Sequence, residues 1–369
     1  AQRHRDYFVS LAEAAAGHLR GREQSAWLTR LSAEQANLAQ ALDHCLEAPA
    51  EFILGARLVA ALFRYWVGQG RWREGRRFCE ALLDRAGAQE RTPEAAKVLR
   101  IAGQLANLQG DTQASSQFFR RSLSVERELD NPRGVAISLD NLGLALTALG
   151  DWRQARTSFE ESLALIRGFG DRHLLAVGLN NLGNVTFNQG DYEEARACYG
   201  EGLVIFQELG DRWGEAIALG NLASVAERQE DYSTARRHHE ASLPIKRELG
   251  DRPGIAISIY NLGTVAGRQG DFGEARRCLT EALDIQRELE DRWGEANTLR
   301  SLGWLAQQGG NLTEAGRLYR ESLEIRGRLG DPAAIAESLV ACGLLAASSD
   351  EPADRKSTRL NSSHTEQSR

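Results

Sequence analysis

In 369 residues the chain has no methionine, only three lysines (Lys97, Lys246 and Lys356) and five cysteines. The first scarcity leaves the chain without an initiator, so it is expected to be a fragment of a longer protein. With basic charge carried almost wholly by arginine, 45 basic residues face 51 acidic ones for a net charge of -6, and both signs are mixed along the chain. There is no basic run or stripe of the kind that tracks phosphates, which argues against nucleic acid as a direct partner. No stretch approaches the ~18 uncharged apolar residues of a membrane span, so no membrane role is expected, and no signal peptide stands at the start. Cys45, Cys79, Cys198, Cys278 and Cys342 are odd in number, lie far apart and lack CxxC or Cys/His ligand spacing. They read as reduced core thiols of a cytoplasmic protein, with no metal and no cofactor. Abundant alanine, glycine and arginine fit a GC-rich bacterial source.

What is present is a repeat. Asn-Leu-Gly recurs at 141–143, 181–183 and 261–263, with Asn221-Leu222-Ala223 and Ser301-Leu302-Gly303 in the same register, every 40 residues without an insertion. Asp151, Asp191, Asp231, Asp271 and Asn311 form a second column. Asp171, Asp211, Asp251, Asp291 and Asp331 form a third, 20 residues out of phase, so each repeat has two similar halves. Gly150, Gly190, Gly270 and Gly310 stand where a helix ends in a left-handed residue, and the Asp or Asn that follows caps the next helix. Gln154, Glu194, Glu274 and Glu314, three residues on, complete a capping-box pattern. Within a second helix, Ala195, Tyr199, Gly202, Leu203, Ile205 and Leu209 fall at helical spacing as one buried stripe; Ala216, Leu219, Leu222, Ala223 and Val225 do the same in a first helix. Small residues at 143, 183, 223 and 263, and at Ala155, Ala195, Ala235 and Ala275, let two helices approach closely.

Two helices per 40 residues also suit HEAT repeats, and the internal order separates the two. Leu142-Gly143, then Ala155, a large Phe159 and a small Ser162, resembles the tetratricopeptide repeat, lengthened by six residues near the end of the second helix. A Gly-Asp-Arg turn stands in place of that family's terminal proline. The resemblance covers about residues 52 to 347 and implies an all-α, right-handed superhelical α-solenoid of antiparallel helix pairs. Pairs are expected near 93–109/112–129, 133–149/152–169, 173–189/192–209, 213–229/232–249, 253–269/272–289 and 293–309/312–329. A divergent pair near 53–69/72–86 precedes them, and a lone helix at about 332 to 347 covers the end of the stack. Pro244 falls inside a second helix and is expected to kink it or shift its start.

Residues 1–50 break the period and read as a helical linker or capping segment of two amphipathic helices, about 3–19 and 23–47. Tyr7, Phe8, Leu11, Trp27, Leu28, Leu31, Leu38 and Leu42 form their apolar faces. With the run Leu58 to Trp66, this segment is similar to the link between the ATPase core and the repeat array of bacterial signal-transducing ATPase regulators, whose transcription-factor relatives often carry a DNA-binding domain. No GxxxxGK[ST] loop is present. The division expected is 1–50, a solenoid over 51–347, and a disordered tail over 348–369 whose last run, from Lys356, is similar to translated vector sequence.

The tetratricopeptide resemblance implies a concave surface lined by first helices. Position by position it places Asn141, Asn181, Asn221 and Asn261 there as a ladder, flanked by Asn180, Asn184, Asn188, Tyr260, Arg228, Arg268 and Arg300. Asparagine offers a donor and an acceptor and so can grip a peptide main chain; arginine adds carboxylate recognition. Against this, a repeated asparagine can simply satisfy a backbone group between helices, and the arginines can be a solvated face. Trp213 and Trp293 are expected to pack between repeats, and the His238-His239 pair has no metal-ligand spacing. No Ser/His/Asp or Cys/His set is found, so the expectation is a protein- or peptide-binding scaffold rather than an enzyme. It is read as the ligand-sensing part of an ATPase-type regulator whose N-terminal domains are missing, or as a free-standing adaptor.

Overall fold

The computed structural model describes residues 2–19, 23–47, 49–86 and 91–330. The lone helix expected at 332–347, the tail at 348–369, Asp331 and Cys342 lie outside the described residues. The described residues form α-helices, with a short 3-10 turn at Pro49–Glu51 between two of them, and no strand is found among them. The chain divides into two compact units, Ala1–Ile205 and Phe206–Arg369.

The first unit begins with α1 (Gln2–His18), α2 (Gln24–Ala33) and α3 (Gln35–Leu46). A single second helix is expected over 23–47, but the chain steps out of helical geometry at Glu34, where ψ is 10°. The step is small, because the Glu34 N–H still reaches the Arg30 carbonyl at 3.2 Å, and it lets both Leu31 and Leu38 into the core. Then come α4 (Phe52–Gly68), α5 (Trp72–Asp84), α6 (Pro93–Leu108), α7 (Thr112–Glu128), α8 (Pro132–Ala148), α9 (Trp152–Phe169), α10 (Arg172–Gln189) and α11 (Tyr192–Leu209), which runs into the second unit. Leu11, Leu31 and Leu42 of the opening helices share one core with Phe52, Leu62 and Trp66 of α4 and with Leu99 of α6. Cores of this kind form by removing apolar surface from water.

The second unit continues with α12 (Arg212–Arg228), α13 (Tyr232–Leu249), α14 (Arg252–Arg268), α15 (Phe272–Glu288), α16 (Arg292–Gln308) and α17 (Leu312–Leu329). The helices fall where the 40-residue columns place them. Asp151, Asp231, Asp271 and Asn311 each cap by accepting from the backbone N–H three residues on, at 3.0 to 3.1 Å. The reciprocal half of the capping box does not form. The backbone N–H of Asp151 donates instead to the carbonyl of Leu146, at 2.9 Å, closing the preceding helix, so the donor that Gln154 would have accepted is already used. Gln154 turns to the Asp151 carboxylate instead.

Close helix approach explains the small column. A Cβ on Gly143 would stand 2.6 Å from the Phe159 ring, and one on Gly183 would stand 2.6 Å from the Tyr199 ring. Ser122, Ser162, Ser242 and Ser322 each donate to an alanine carbonyl 26 residues earlier, tying second helix to first. Pro244 neither delays nor divides α13, which starts at Tyr232 and runs to Leu249. Leu209, expected in the buried stripe, is 46% exposed, and Trp213 and Trp293 are 54% and 62% exposed rather than packed between repeats. Both tryptophans stand in the first turn of their helices, α12 and α16, on the side open to solvent.

Candidate functional site

In α8, residues 134–136, 138, 139, 142, 143, 145 and 146 are buried against neighbouring helices. What is left is a narrow, partly open stripe through Ile137, Asp140, Asn141, Leu144 and Ala148. Helical periodicity alone generates it, since these residues recur three and four apart. The equivalent stripe is Lys97, Arg100 and Gln104 on α6, and Val177, Asn180, Asn181, Asn184 and Asn188 on α10. The ladder divides between the units, with Asn141 and Asn181 in the first and Asn221 and Asn261 in the second.

In the first unit the amides are held. Gln104 donates to Asn141 Oδ1 at 3.2 Å, and the Asn141 amide donates back to the carbonyl of Ile137 at 2.7 Å. Asn181 Nδ2 donates to both carboxylate oxygens of Asp140, at 3.1 and 3.3 Å. Tyr199 OH donates to Asn184 Oδ1 at 2.8 Å, and Asn188 donates to the Asn184 carbonyl at 2.7 Å. Asn180 stands beside them, half-buried. Burial pushes the Asp140 carboxyl up to about 6, and the bond from Asn181 offsets only part of that. Arg100, in the position equivalent to Asp140, is spoken for. Its guanidinium bonds the buried Glu126, which also accepts from Asn131 at 2.7 Å.

In the second unit Asn221 and Asn261 occupy the same half-buried place on α12 and α14, with Ile217 and Ile257 exposed beside them. Tyr260 and Ser301 hydroxyls meet at 3.3 Å across α14 and α16. Arg268 lies 5.7 Å from the centre of the Trp304 ring. Arg228 is exposed on the last turn of α12. Arg300 has its Nε buried with no hydrogen-bond partner among the described residues. The arrangement offers amides, guanidinium groups and aromatic faces, which suit recognition of an extended chain.

Asp140, Gln104 and Trp304 belong to these stripes and were not picked out from the sequence. The signal that finds them is their offset of one before, or three after, the Asn-Leu-Gly column. His239 takes the place of the large ring residue and is buried, its Nε2 2.8 Å from Glu227 Oε1. The described cysteines are free and buried, and burial raises the thiols of Cys45, Cys198 and Cys278 to about 11. Among the described residues no group of three or more His, Cys, Asp or Glu could hold a metal ion, and no helix is long and apolar enough to cross a membrane.

The sequence profile of the tetratricopeptide repeat family matches residues 94–168, 134–208, 174–248 and 254–328. No curated protein matches the chain by sequence. Among solved structures the chain is similar to apo RapI, with a TM-score of 0.61 and 17% identity over 74% of this chain and 98% of that one. It is also similar to the apo quorum sensor NprR of B. thuringiensis, with a TM-score of 0.56 and 16% identity over 93% and 97% of the two chains. A third likeness is to a signal transduction ATPase with numerous domains and a tetratricopeptide repeat sensor, from Pyrococcus horikoshii. There the TM-score is 0.60 and the identity 12%, and 90% of this chain spans 52% of that one. At these identities the likeness is one of fold.

Proposed function

Because the chain belongs to the tetratricopeptide repeat family, we propose that it binds a protein or peptide segment along the open stripes of its first helices, as the ligand-sensing part of a larger bacterial ATPase-type regulator. The observation that carries this reading is the run Asn180, Asn181, Asn184 and Asn188 on α10. It puts four amides on one partly open helix face, where burial would otherwise favour apolar residues. An amide can pair with the backbone N–H and C=O of any extended segment, so such a face binds main chain irrespective of sequence. In the second unit Asn221, Tyr260, Asn261, Arg228, Arg268 and Arg300 form the corresponding surface. The placement within an ATPase regulator draws support from the likeness to the Pyrococcus horikoshii protein, of which a repeat sensor is one part.

A panel of synthetic peptides of varied sequence and length, each presented with a free and with an acetylated amino terminus, tests the binding. The intact chain is expected to capture a subset of the panel, and the Asn180→Ala/Asn184→Ala variant to lose it. Circular dichroism checks that the variant, which also gives up the bond from Tyr199, remains folded. Unchanged capture of every peptide by the folded double variant would reject this site.

A further inference from the structure

The stripe of the first unit contains one group that amide recognition of a main chain does not use. Asp140 is half-buried on α8, and its only partner among the described residues is the Asn181 amide, which donates to both carboxylate oxygens. Among the described residues no cation offsets its charge: burial and that single hydrogen bond are what act on it. The neighbouring stripe on α6 does hold cations. Arg100 is bound to Glu126, which is 1% exposed, and Lys97 lies a turn away near the helix start. On α10 the facing side chains are Val177 and asparagines, which are neutral. Three other carboxylates of the first unit, Asp111, Glu126 and Asp171, each have an arginine partner.

A desolvated carboxylate without a counter-ion is costly to keep in a structure and gains from any cation that reaches it. From this geometry we infer that Asp140 is the cation-recognising position of the first-unit surface, and that it takes an ammonium or guanidinium group of the bound segment, either a free amino terminus or a lysine or arginine side chain. Asn181 donates to both oxygens and so fixes the carboxylate in place, and each oxygen keeps a further lone pair for a donor of the ligand. The inference rests on the peptide-binding reading and adds the charge of the ligand to it.

The peptide panel tests it in sets that differ only in charge: free or acetylated amino terminus, and lysine or arginine replaced by norleucine. The parent protein is expected to bind the charged member of a set about tenfold more tightly than its neutral counterpart. In Asp140→Asn, which keeps the shape of the side chain, that preference should vanish while neutral members bind as before. Asp140→Lys should move the preference to members carrying glutamate. Which set shows the effect tells an amino terminus from a side chain. Capture of charged and neutral members with equal affinity, or an equal loss of both in Asp140→Asn, overturns this inference and leaves the peptide-binding reading standing. Failure of the parent protein to capture any peptide rejects both.

Discussion

Asp140 sits beside one amide on a half-buried helix face, and its carboxyl is held up at about 6. The ordinary aspartate value is about 3.9, so the folded chain resists ionising this group more than the unfolded chain does. The sign follows directly. The side chain favours the folded state while it is protonated, and that contribution is lost as the pH rises from about 4 through about 6. Asparagine has no charge to bury. Asp140→Asn is therefore expected to be more stable than the parent at pH 8, by about 1 to 3 kcal/mol, with the difference closing near pH 4. Urea unfolding at the two pH values checks it, and an equal difference at both would count against a buried charge. At this scale the sequence was legible in part. The asparagine column was visible at its spacing, but the commitments of its members were not. Asn141 bonds Gln104 and its own helix, whereas Asn181 bonds Asp140. Side chains 37 and 41 residues apart meet only once the helices pack.

The elements owe their boundaries to local chemistry, and so their starts and stops could be read in advance. A left-handed residue followed by a short acceptor closes one helix and opens the next. Gly150 and Gly190 hold φ at 77° and 83°, but Asp130, Glu230 and Glu290 occupy the same kind of place at 47°, 61° and 56°. A side chain at such φ costs roughly 1 to 2 kcal/mol, because its Cβ crowds the carbonyl oxygen. Glycine regains part of that as unfolded-state freedom. Glu290→Gly is therefore expected to raise stability by about 1 kcal/mol, read as a higher urea midpoint with an unchanged slope. A fall would mean that the Glu290 side chain contributes more than its backbone costs. The capping boxes show where local reading stopped. The spacing from Asp151 to Gln154 fits the pattern, but Asp151 N–H had already been taken by Leu146 of the preceding helix. The exposed Trp213 and Trp293 are a second case, since nothing local says whether a residue in a helix's first turn meets a neighbour.

Within each unit the successive helices pack on their sequence neighbours, which is how repeat arrays gain stability. The first core draws Phe8, Leu31, Leu58 and Leu99 into one cluster, so the aperiodic opening segment is held by the same burial as the pairs after it. Leu58 is fully buried there, and Leu58→Ala should cost about 2 to 5 kcal/mol. Hydrogen exchange is expected to quicken in α1 to α6 and to stay slow in α8 and α9, because neighbour coupling confines the damage. Uniform quickening through the first unit would show a single cooperative block instead. The sequence by itself determined the helices, their period, their caps and the small residues between them, because those depend on spacing and on contacts within about 20 residues. Only the tertiary structure decided which half-open stripe each first helix keeps, which asparagines are already engaged, and that Asp140 lacks a counter-ion among the described residues. Those depend on burial and on partners from other repeats, and a 40-residue period repeats the positions without repeating what surrounds them.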